Sequence, residues 1–276
     1  MLINIDFNPY QGRVDQNNAY LNLLPSPPLC HWVQSLWQLN VPSGKYCYRS
    51  MPDNCVDLII NVNCPEDIFI IKPFSSPMIF DLVGPVSYFG VRFRVLGHGG
   101  LITTPLGEWS NDELMQVSEL LPGHVLHAIY QCIGQPMPFN IRCKKIGAIL
   151  PGAMHRPEID SRLARYIRFC HTSLASRISI SDKQCADFGL SARQLRRLSQ
   201  LYLGLSPREL ARVFRFQYML KMMNTSNNKT AWADVYHDQS HFIHEFKSLS
   251  GLTPGQFGRL SVLYNKISSN FLLHFS

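Results

Sequence analysis

Three arginines with helical spacing are the residues of this chain whose type and spacing point most clearly to a particular kind of ligand. Arg193, Arg196 and Arg197 occupy positions i, i+3 and i+4, which lie on one face of an α-helix. A guanidinium group binds phosphate oxygens and the acceptor edge of guanine through paired hydrogen bonds. The spacing therefore predicts a helix that contacts nucleic acid. The alternative at this point is a basic helix face turned to solvent.

A short sequence repeat occurs twice in the C-terminal third, and each copy marks the end of one helix and the start of the next. Residues 204–209 read Gly-Leu-Ser-Pro-Arg-Glu, and residues 251–256 read Gly-Leu-Thr-Pro-Gly-Gln. In each copy a helix-ending glycine precedes a Ser or Thr N-cap. A proline at the first helical position follows, then a Glu or Gln that completes a capping box. The repeat predicts two similar helical units.

The segment before the first copy predicts a helix, a tight turn and a second helix. Gly189 is expected to end a short helix, and Ser191 with Gln194 is expected to cap the next one. This order is the helix-turn-helix layout, in which the second helix enters the major groove of DNA. The two groove-contacting helices are expected at about 191–202 and 238–249.

Positive charge is concentrated in the same part of the chain. Residues 156–260 hold 16 Lys or Arg and 8 Asp or Glu, whereas residues 1–155 hold 9 and 11. A basic segment attached to a slightly acidic one suggests one module that meets a polyanion and another with a different task. The chain has 276 residues, 46% of them hydrophobic, which is enough for two domains with their own cores.

The first half predicts a β-rich domain. Runs at 57–62, 68–71 and 89–95 are β-branched or alternate between apolar and polar residues, as strands do. Pro, Gly and Asn turns lie between them, and this pattern suggests a small barrel or sandwich.

Helices are expected to follow these strands, at 110–121, 124–133 and 140–150. Residues 151–157 form the predicted linker, because they contain two prolines and a glycine and the charge balance changes there. The predicted fold class is therefore α+β. Residues 1–150 would form a β-rich domain finished by helices, and residues 156–276 an all-α domain of seven helices with two helix-turn-helix units.

The sequence has no pattern typical of catalysis, metal binding or membrane insertion. Its 8 cysteines form no C-x-x-C pair and lie mostly in apolar runs, which predicts reduced, buried thiols in a cytoplasmic protein. No apolar run is long enough for a membrane span, and no signal peptide is visible. His237, His241 and His244 have helical spacing that can bind zinc, but the Glu of an H-E-x-x-H motif is missing. No metal site and no enzymatic activity are predicted.

On these motifs the chain, over about residues 158–260, resembles the AraC/XylS family of bacterial transcription regulators. The resemblance implies two helix-turn-helix units joined by a long helix. The first half is similar, more loosely, to the regulatory domain that some family members carry. The matching strings are Gly189–Ser191, Gln194–Leu198, Gly204–Pro207, Arg215–Gln217, Asp238–Lys247 and Gly251–Pro254, with 52–58 and 90–94 in the first half.

The resemblance also implies contacts and partners. Double-stranded promoter DNA would be the target, and RNA polymerase the partner of an activator. The first domain would serve dimerisation, binding of a small-molecule effector, or both, and no other cofactor is implied. Arg215 is expected to pack or pair rather than to contact bases. The DNA-contacting residues would be Arg193, Arg196 and Arg197 in the first unit and Gln239, Ser240, Ile243 and His244 in the second.

Four aromatic residues of the first half have two interpretations. Trp32, Trp37, Phe89 and Phe93 either line a ligand pocket or belong to the core. The sequence leaves both open.

Both helix-turn-helix units depart from the family pattern, the second more than the first. Ser199 replaces an aromatic residue in the first unit, and His244 stands where Arg is common. Residues 232–235 pass into Tyr236 without a turn glycine, as if one helical turn were missing, and a positive φ at Tyr236 would be strained. We therefore expect a distorted second unit. The alternative function is a sensor or protein-interaction module with weak DNA binding.

Overall fold

The computed structural model describes residues 7–15, 19–102, 104–109, 117, 120–155, 159–173, 182–225, 231–236 and 238–265. Within these residues an antiparallel sheet occupies the first part of the chain, and helices follow it. The α+β fold class is confirmed.

The strands form one sheet in the order β1-β2-β5-β3-β4, and β6 pairs with the outer part of β2. The long ladder between β2 and β5 contains two register shifts, which bend the sheet. The strands predicted at 57–62, 68–71 and 89–95 are present, the last as the end of a longer strand. The strands are β1 Tyr20–Leu23, β2 Val33–Ser50, β3 Asp57–Asn61, β4 Ile68–Ile71, β5 Met78–Phe93 and β6 Leu263–Asn265.

The helices of the first half lie where the sequence predicts them, as far as the described residues extend. The helices predicted at 124–133 and 140–150 are confirmed as α1 and α2, whereas most of the helix predicted at 110–121 lies outside the described residues. Short 3-10 turns cover Leu29–His31, Gly97–Gly100, Leu106–Glu108 and Ala231–Asp234. The helices are α1 Gly123–Ile133, α2 Phe139–Ala153, α3 Ser161–Thr172, α4 Asp182–Asp187, α5 Ala192–Leu203, α6 Pro207–Thr225, α7 Gln239–Ser250 and α8 Pro254–Phe257.

Two boundary expectations need correction. The linker predicted at 151–157 begins too early, because α2 continues through Pro151 and Gly152 to Ala153. Pro151 has no N–H to donate to the carbonyl of the preceding turn, so the last turn of α2 lacks one helical hydrogen bond. The C-terminal part is also not all-helical, because β6 adds a strand to the sheet of the first half.

The two faces of the sheet bury different sets of side chains, as the alternation of strand residues requires. One face, which includes Leu36, Leu58 and Phe89, packs with α1 and α2. The opposite face, which includes Trp37 and Ile59, faces away from these helices.

The helices of the C-terminal part pack directly on the first half. The core around α3, α5 and α6 contains Phe7 and Val95, and the core around α6 and α7 contains Met51. Gln217 of α6 is 2% exposed and joins the two parts by two hydrogen bonds. The backbone N–H of Tyr10 donates to its Oε1 at 2.7 Å, and its Nε2 donates to the carbonyl of Pro52 at 2.7 Å.

Replacing Gln217 should destabilise the fold without touching the exposed helix faces. Gln217→Leu leaves a partly buried N–H and a buried carbonyl without partners, so the free energy of unfolding should fall by about 2–4 kcal/mol. Urea unfolding of the variant beside the wild type measures this. Asn224→Leu, at an exposed position of the same helix, is the control and should change stability by about 0.5 kcal/mol or less. Equal effects of the two substitutions would show that the Gln217 contacts do not join the two parts.

Candidate functional site

The first helix of the site, α5, is fixed at both ends by its own sequence. The Ser191 hydroxyl accepts from the N–H of Gln194 at 3.2 Å, and the Gln194 side chain accepts from the N–H of Ser191 at 2.9 Å. The helix ends at Gly204, whose φ of 67° is the left-handed conformation that glycine adopts without strain. The predicted capping box and helix end are therefore both present.

The orientation of α5 separates an apolar face from a basic one. Leu195 and Leu198 are buried, whereas Arg193, Arg196 and Arg197 are all exposed. Within the described part of the chain none of the three arginines forms an ion pair with a carboxylate. Three guanidinium groups on one face are thus available to a polyanion.

The turn before α5 and the serine within it have clear structural roles. Gly189 has a φ of 72°, and Arg165 of α3 donates to the carbonyl of Phe188 at 2.9 Å, so the short α4 is held against α3. Ser199, where the family pattern has an aromatic residue, is fully buried and its hydroxyl donates to the carbonyl of Leu205 at 2.7 Å. A hydrogen bond thus takes the place of aromatic packing at this helix end.

The 3-10 turn Leu106–Glu108 of the first half lies against the C-terminal end of α5. A Cβ atom on Gly107 would lie 2.6 Å from the carbonyl oxygen of Gln200 and 3.0 Å from the Cα of Leu201. Only glycine allows this approach. The turn and α5 enclose a groove lined by Gly107, Arg193, Gln194, Arg196, Arg197, Gln200 and Leu201.

The helix α6 connects this unit to the second one and fixes its orientation by ion pairs. Its N-terminus carries the predicted capping box of Ser206 and Glu209. Glu245 of α7 is buried and faces two arginines of α6, Arg215 at 3.2 Å and Arg212 at 3.5 Å. Arg215 therefore pairs, as the sequence predicted.

The second helix of the site, α7, also presents the predicted residues to solvent. Its N-cap Asp238 accepts from the N–H of His241 at 2.8 Å, and Gly251 with a φ of 73° ends it. Phe242, Phe246 and Leu249 are buried on the inner side. The predicted contact residues Gln239, Ser240, Ile243 and His244 are all exposed on the outer side.

Residues 184–259 match the model of a helix-turn-helix domain. They form an AraC-type helix-turn-helix domain. Residues 21–115 match a domain of unknown function, and no curated protein matches the chain.

Solved structures of ToxT from Vibrio cholerae resemble the chain weakly. An apo variant is 15% identical over 89% of this chain and 98% of that chain, with a TM-score of 0.41. Another ToxT structure, in the P21 crystal form, is 12% identical over 87% of this chain and 98% of that chain, with a TM-score of 0.42. Separately, no helix among the described residues is both long and apolar enough to cross a membrane.

The second unit of the AraC-type domain is shortened, but the strain expected at its turn is absent. A 3-10 turn, Ala231–Asp234, stands where the first unit has α4. Among the described residues, Asn54 and Leu96 are the only non-glycine residues with a positive φ. The expectation of backbone strain at Tyr236 is therefore wrong. Trp232 stacks on Phe242 at 6.3 Å, and this contact positions the turn without a glycine. His237, the first member of the zinc-like triplet, lies outside the described residues.

A cavity of about 210 Å³ lies in the first half, on the sheet face opposite α1 and α2. Of the four aromatic residues with two interpretations, Trp37 lines it, whereas Phe89 and Phe93 belong to the core on the other face. Trp32 donates to the carbonyl of His155 at 3.1 Å. The lining residues that sequence reasoning missed include Tyr20, Tyr48, Asp57, Phe69, Phe80, Asp81, Tyr88 and Arg92.

A buried ion cluster forms part of the cavity wall. The Nε of Arg92 lies 3.1 Å from both carboxylate oxygens of Asp57, and its Nη2 lies 2.9 Å from Asp57 Oδ2 and 3.3 Å from Asp53 Oδ2. Asp53 also accepts from Gln11 Nε2 at 2.7 Å. Burial, with a smaller effect of Asp57, raises the pKa of Asp53 to about 6 although Arg92 opposes the shift.

This shift predicts a pH dependence of stability. Between the ordinary pKa of 3.8 and about 6, the folded protein holds a proton on Asp53 that the unfolded chain has released. The contribution of Asp53 to stability is therefore present at low pH and lost as pH rises through this window. The difference in unfolding free energy between wild type and Asp53→Asn should fall by about 1–3 kcal/mol from pH 4 to pH 7.

The measurement is urea unfolding of both proteins at several pH values. Asp15→Asn removes an exposed carboxylate and is the control, for which a nearly constant difference is expected. A constant difference for Asp53→Asn as well would mean that Arg92 and Gln11 stabilise the carboxylate enough to cancel the effect of burial.

Proposed function

We propose that this protein is a sequence-specific transcription regulator that binds double-stranded promoter DNA through α5 and α7. The observation that carries the proposal is a set of three exposed arginines on α5, the second helix of a helix-turn-helix unit. No carboxylate of the described residues pairs with them. Guanidinium groups in this position contact both base edges and phosphates. The individual residues Arg193, Arg196, Arg197, Gln239, Ser240, Ile243 and His244 are the proposed contacts.

The proposed binding mode uses both units at once. The ion pairs between Glu245 and two arginines of α6 support a fixed orientation of α7 relative to α5. Two such helices contact major-groove segments about 10–10.5 base pairs apart. The first would supply charge, and the second, with Gln239, Ser240 and Ile243, would supply mainly uncharged base contacts.

The first half would be the regulatory part, for effector binding in its cavity, for dimerisation, or for both. Its 3-10 turn against α5 supports a direct influence on DNA binding. We propose domains at 1–150 and 156–276, where α2 extends the first to Ala153 and β6 of the second pairs with the sheet of the first. We further propose activation through RNA polymerase, as in the family, and no enzymatic activity.

A second candidate function is a sensor or protein-interaction module with weak DNA affinity. It is favoured by one observation, the 3-10 turn that replaces the first helix of the second unit. Its expected property is DNA binding that does not depend on the residues of α5 or α7.

Arg196→Ala should weaken binding to the promoter DNA upstream of the protein's own gene. The loss of one base-contacting arginine should cost about 1–3 kcal/mol, or roughly tenfold to hundredfold in affinity. If Arg196 also meets a phosphate, the slope of log affinity against log salt should decrease by about 1. Fluorescence anisotropy titrations at two salt concentrations measure both quantities.

Arg168→Ala is the matched control, because it removes an exposed arginine of α3 that lies outside both contact helices. Its affinity should stay close to that of the wild type. Weak binding that Arg196→Ala leaves unchanged would reject contact through the first unit and favour the sensor function.

The second unit is tested by Gln239→Ala combined with Ile243→Ala. Both side chains are exposed on α7 and uncharged, so the double variant should lose about tenfold in affinity for the specific site. The salt slope should remain unchanged, because neutral side chains release no counterions. Unaltered affinity and sequence preference would show that the shortened unit does not contact bases.

A further inference from the structure

We propose that the cavity of the first half binds an uncharged ligand with one aromatic ring, which packs among the aromatic side chains of the wall. This inference rests on the proposed function in one respect, since it takes the cavity to be the effector site of a regulator. Three properties of the cavity support it: the charges of its wall are paired with each other, most of the remaining wall is aromatic or aliphatic, and its volume is small.

The two charged side chains that face the cavity neutralise each other. Both carboxylate oxygens of Asp57 accept hydrogen bonds from Arg92, at 2.9 to 3.1 Å. Asp57 Oδ1 also accepts from the indole Nε1 of Trp37 at 2.9 Å. A ligand carboxylate would have to displace Asp57 from the guanidinium, and a ligand ammonium would have to displace Arg92 from the carboxylate. A ligand charge of either sign therefore loses its hydration without gaining a free partner.

Two more carboxylates lie near this wall, and neither faces the cavity. The residues on either side of Asp81 in β5 line the cavity, so Asp81 itself points to the opposite face of the sheet, where its Oδ1 lies 3.2 Å from Cys47 Sγ. Asp53 lies behind the wall, where it pairs with Arg92 at 3.3 Å and accepts from Gln11 Nε2 at 2.7 Å. Among the described residues, the cavity thus offers a ligand no unpaired carboxylate.

Trp37 forms a fixed aromatic part of the wall. Its ring lies across Gly90 of the neighbouring strand β5, where a Cβ atom would overlap the indole. The polar group of the indole, Nε1–H, already donates to Asp57. The ring therefore offers a preformed surface without an unpaired donor, which favours contact with an aromatic ligand over a polar one.

Most of the remaining wall is aromatic or aliphatic. Tyr20 stacks on Trp37 with ring centroids 6.1 Å apart, and Phe69 meets Tyr88 edge-on at 6.4 Å. A ligand ring can extend such pairs by offset stacking or edge-to-face contact. Burial raises the pKa of Tyr20 to about 12, so its hydroxyl is neutral and able to hydrogen-bond a ligand hydroxyl. The aliphatic side chains of the wall are Leu39, Ile59, Ile71 and Leu82.

The size of the cavity limits the ligand to a small molecule. A cavity of about 150 Å³ in another protein holds one benzene molecule, and this one measures about 210 Å³. One benzene ring with about three further non-hydrogen atoms is therefore of the right size.

The test is isothermal titration calorimetry of the full chain, without DNA, against three probes that share a benzene ring and differ in charge. They are 2-phenylethanol, 2-phenylethylammonium and phenylacetate. The titrations are run at about 15 and 30 °C, because burial of apolar surface changes the heat capacity and the binding heat then cannot vanish at both temperatures. We expect the uncharged alcohol to bind at least about tenfold more tightly than either ion.

Leu82→Trp should weaken binding of the alcohol at least about tenfold, because Leu82 lines the cavity and a larger ring there takes the place of the ligand. Val83→Trp is the matched control. Val83 is the next residue of β5 and is 71% exposed on the opposite face of the sheet, so this variant should retain the affinity of the wild type.

The proposal is overturned if the alcohol gives no binding heat at either temperature, if one of the ions binds as tightly, or if folded Leu82→Trp binds like the wild type. If that variant does not fold, the comparison of the three probes on the wild type decides. Because no DNA is present, failure of this proposal leaves the DNA titrations with Arg196→Ala as a separate test of the proposed function.

Discussion

A buried guanidinium costs several kcal/mol of desolvation unless carboxylates and hydrogen bonds surround it, and the sheet of this protein is arranged around that requirement at Arg92. Asp57 lies directly opposite Arg92 in the pairing of β3 with β5, so a register slip of one residue would separate the two charges. Asp53 and Gln11 complete the cluster from a loop and from the N-terminal segment. One ion cluster thus fixes strand register, the cavity wall and the loop that contacts α6.

From that loop, polar contacts continue into the C-terminal part. Asn54 has a φ of 59°, a conformation that Asn tolerates better than most residues, and it reaches Leu210 of α6. Further along α6, Arg212 and Arg215 hold Glu245 of α7. Removing only one partner of any of these contacts is costly, because the other polar group or charge is then left without a partner in a poorly solvated place. The sheet, α6 and α7 are therefore connected through groups with strong geometric preferences.

The features that sequence reasoning predicted are the local ones. The capping boxes and the glycines at 189, 204 and 251 depend on neighbours within a few residues, so their types and spacing suffice. The pairing of β6 with β2 and the Arg92 cluster join residues far apart in the chain, which no local pattern encodes. The prediction of strain at Tyr236 is wrong, because Trp232 stacks on Phe242 and the turn needs no left-handed residue there.

The two helices of the proposed DNA interface are unequal, and this inequality determines where control is most effective. The outer face of α5 carries three guanidinium groups, whereas Gln239, Ser240 and Ile243 on α7 are uncharged. Since phosphate contacts supply most of the salt-dependent affinity for DNA, α5 is the helix whose accessibility matters most. The turn Leu106–Glu108 lies on the C-terminal end of that helix and fits there only because residue 107 has no side chain. Movement of this turn would change access to the α5 groove directly. The first half reaches α7 by a different contact, in which Arg49 of β2 donates to the carbonyl of Ser250 at 3.0 Å.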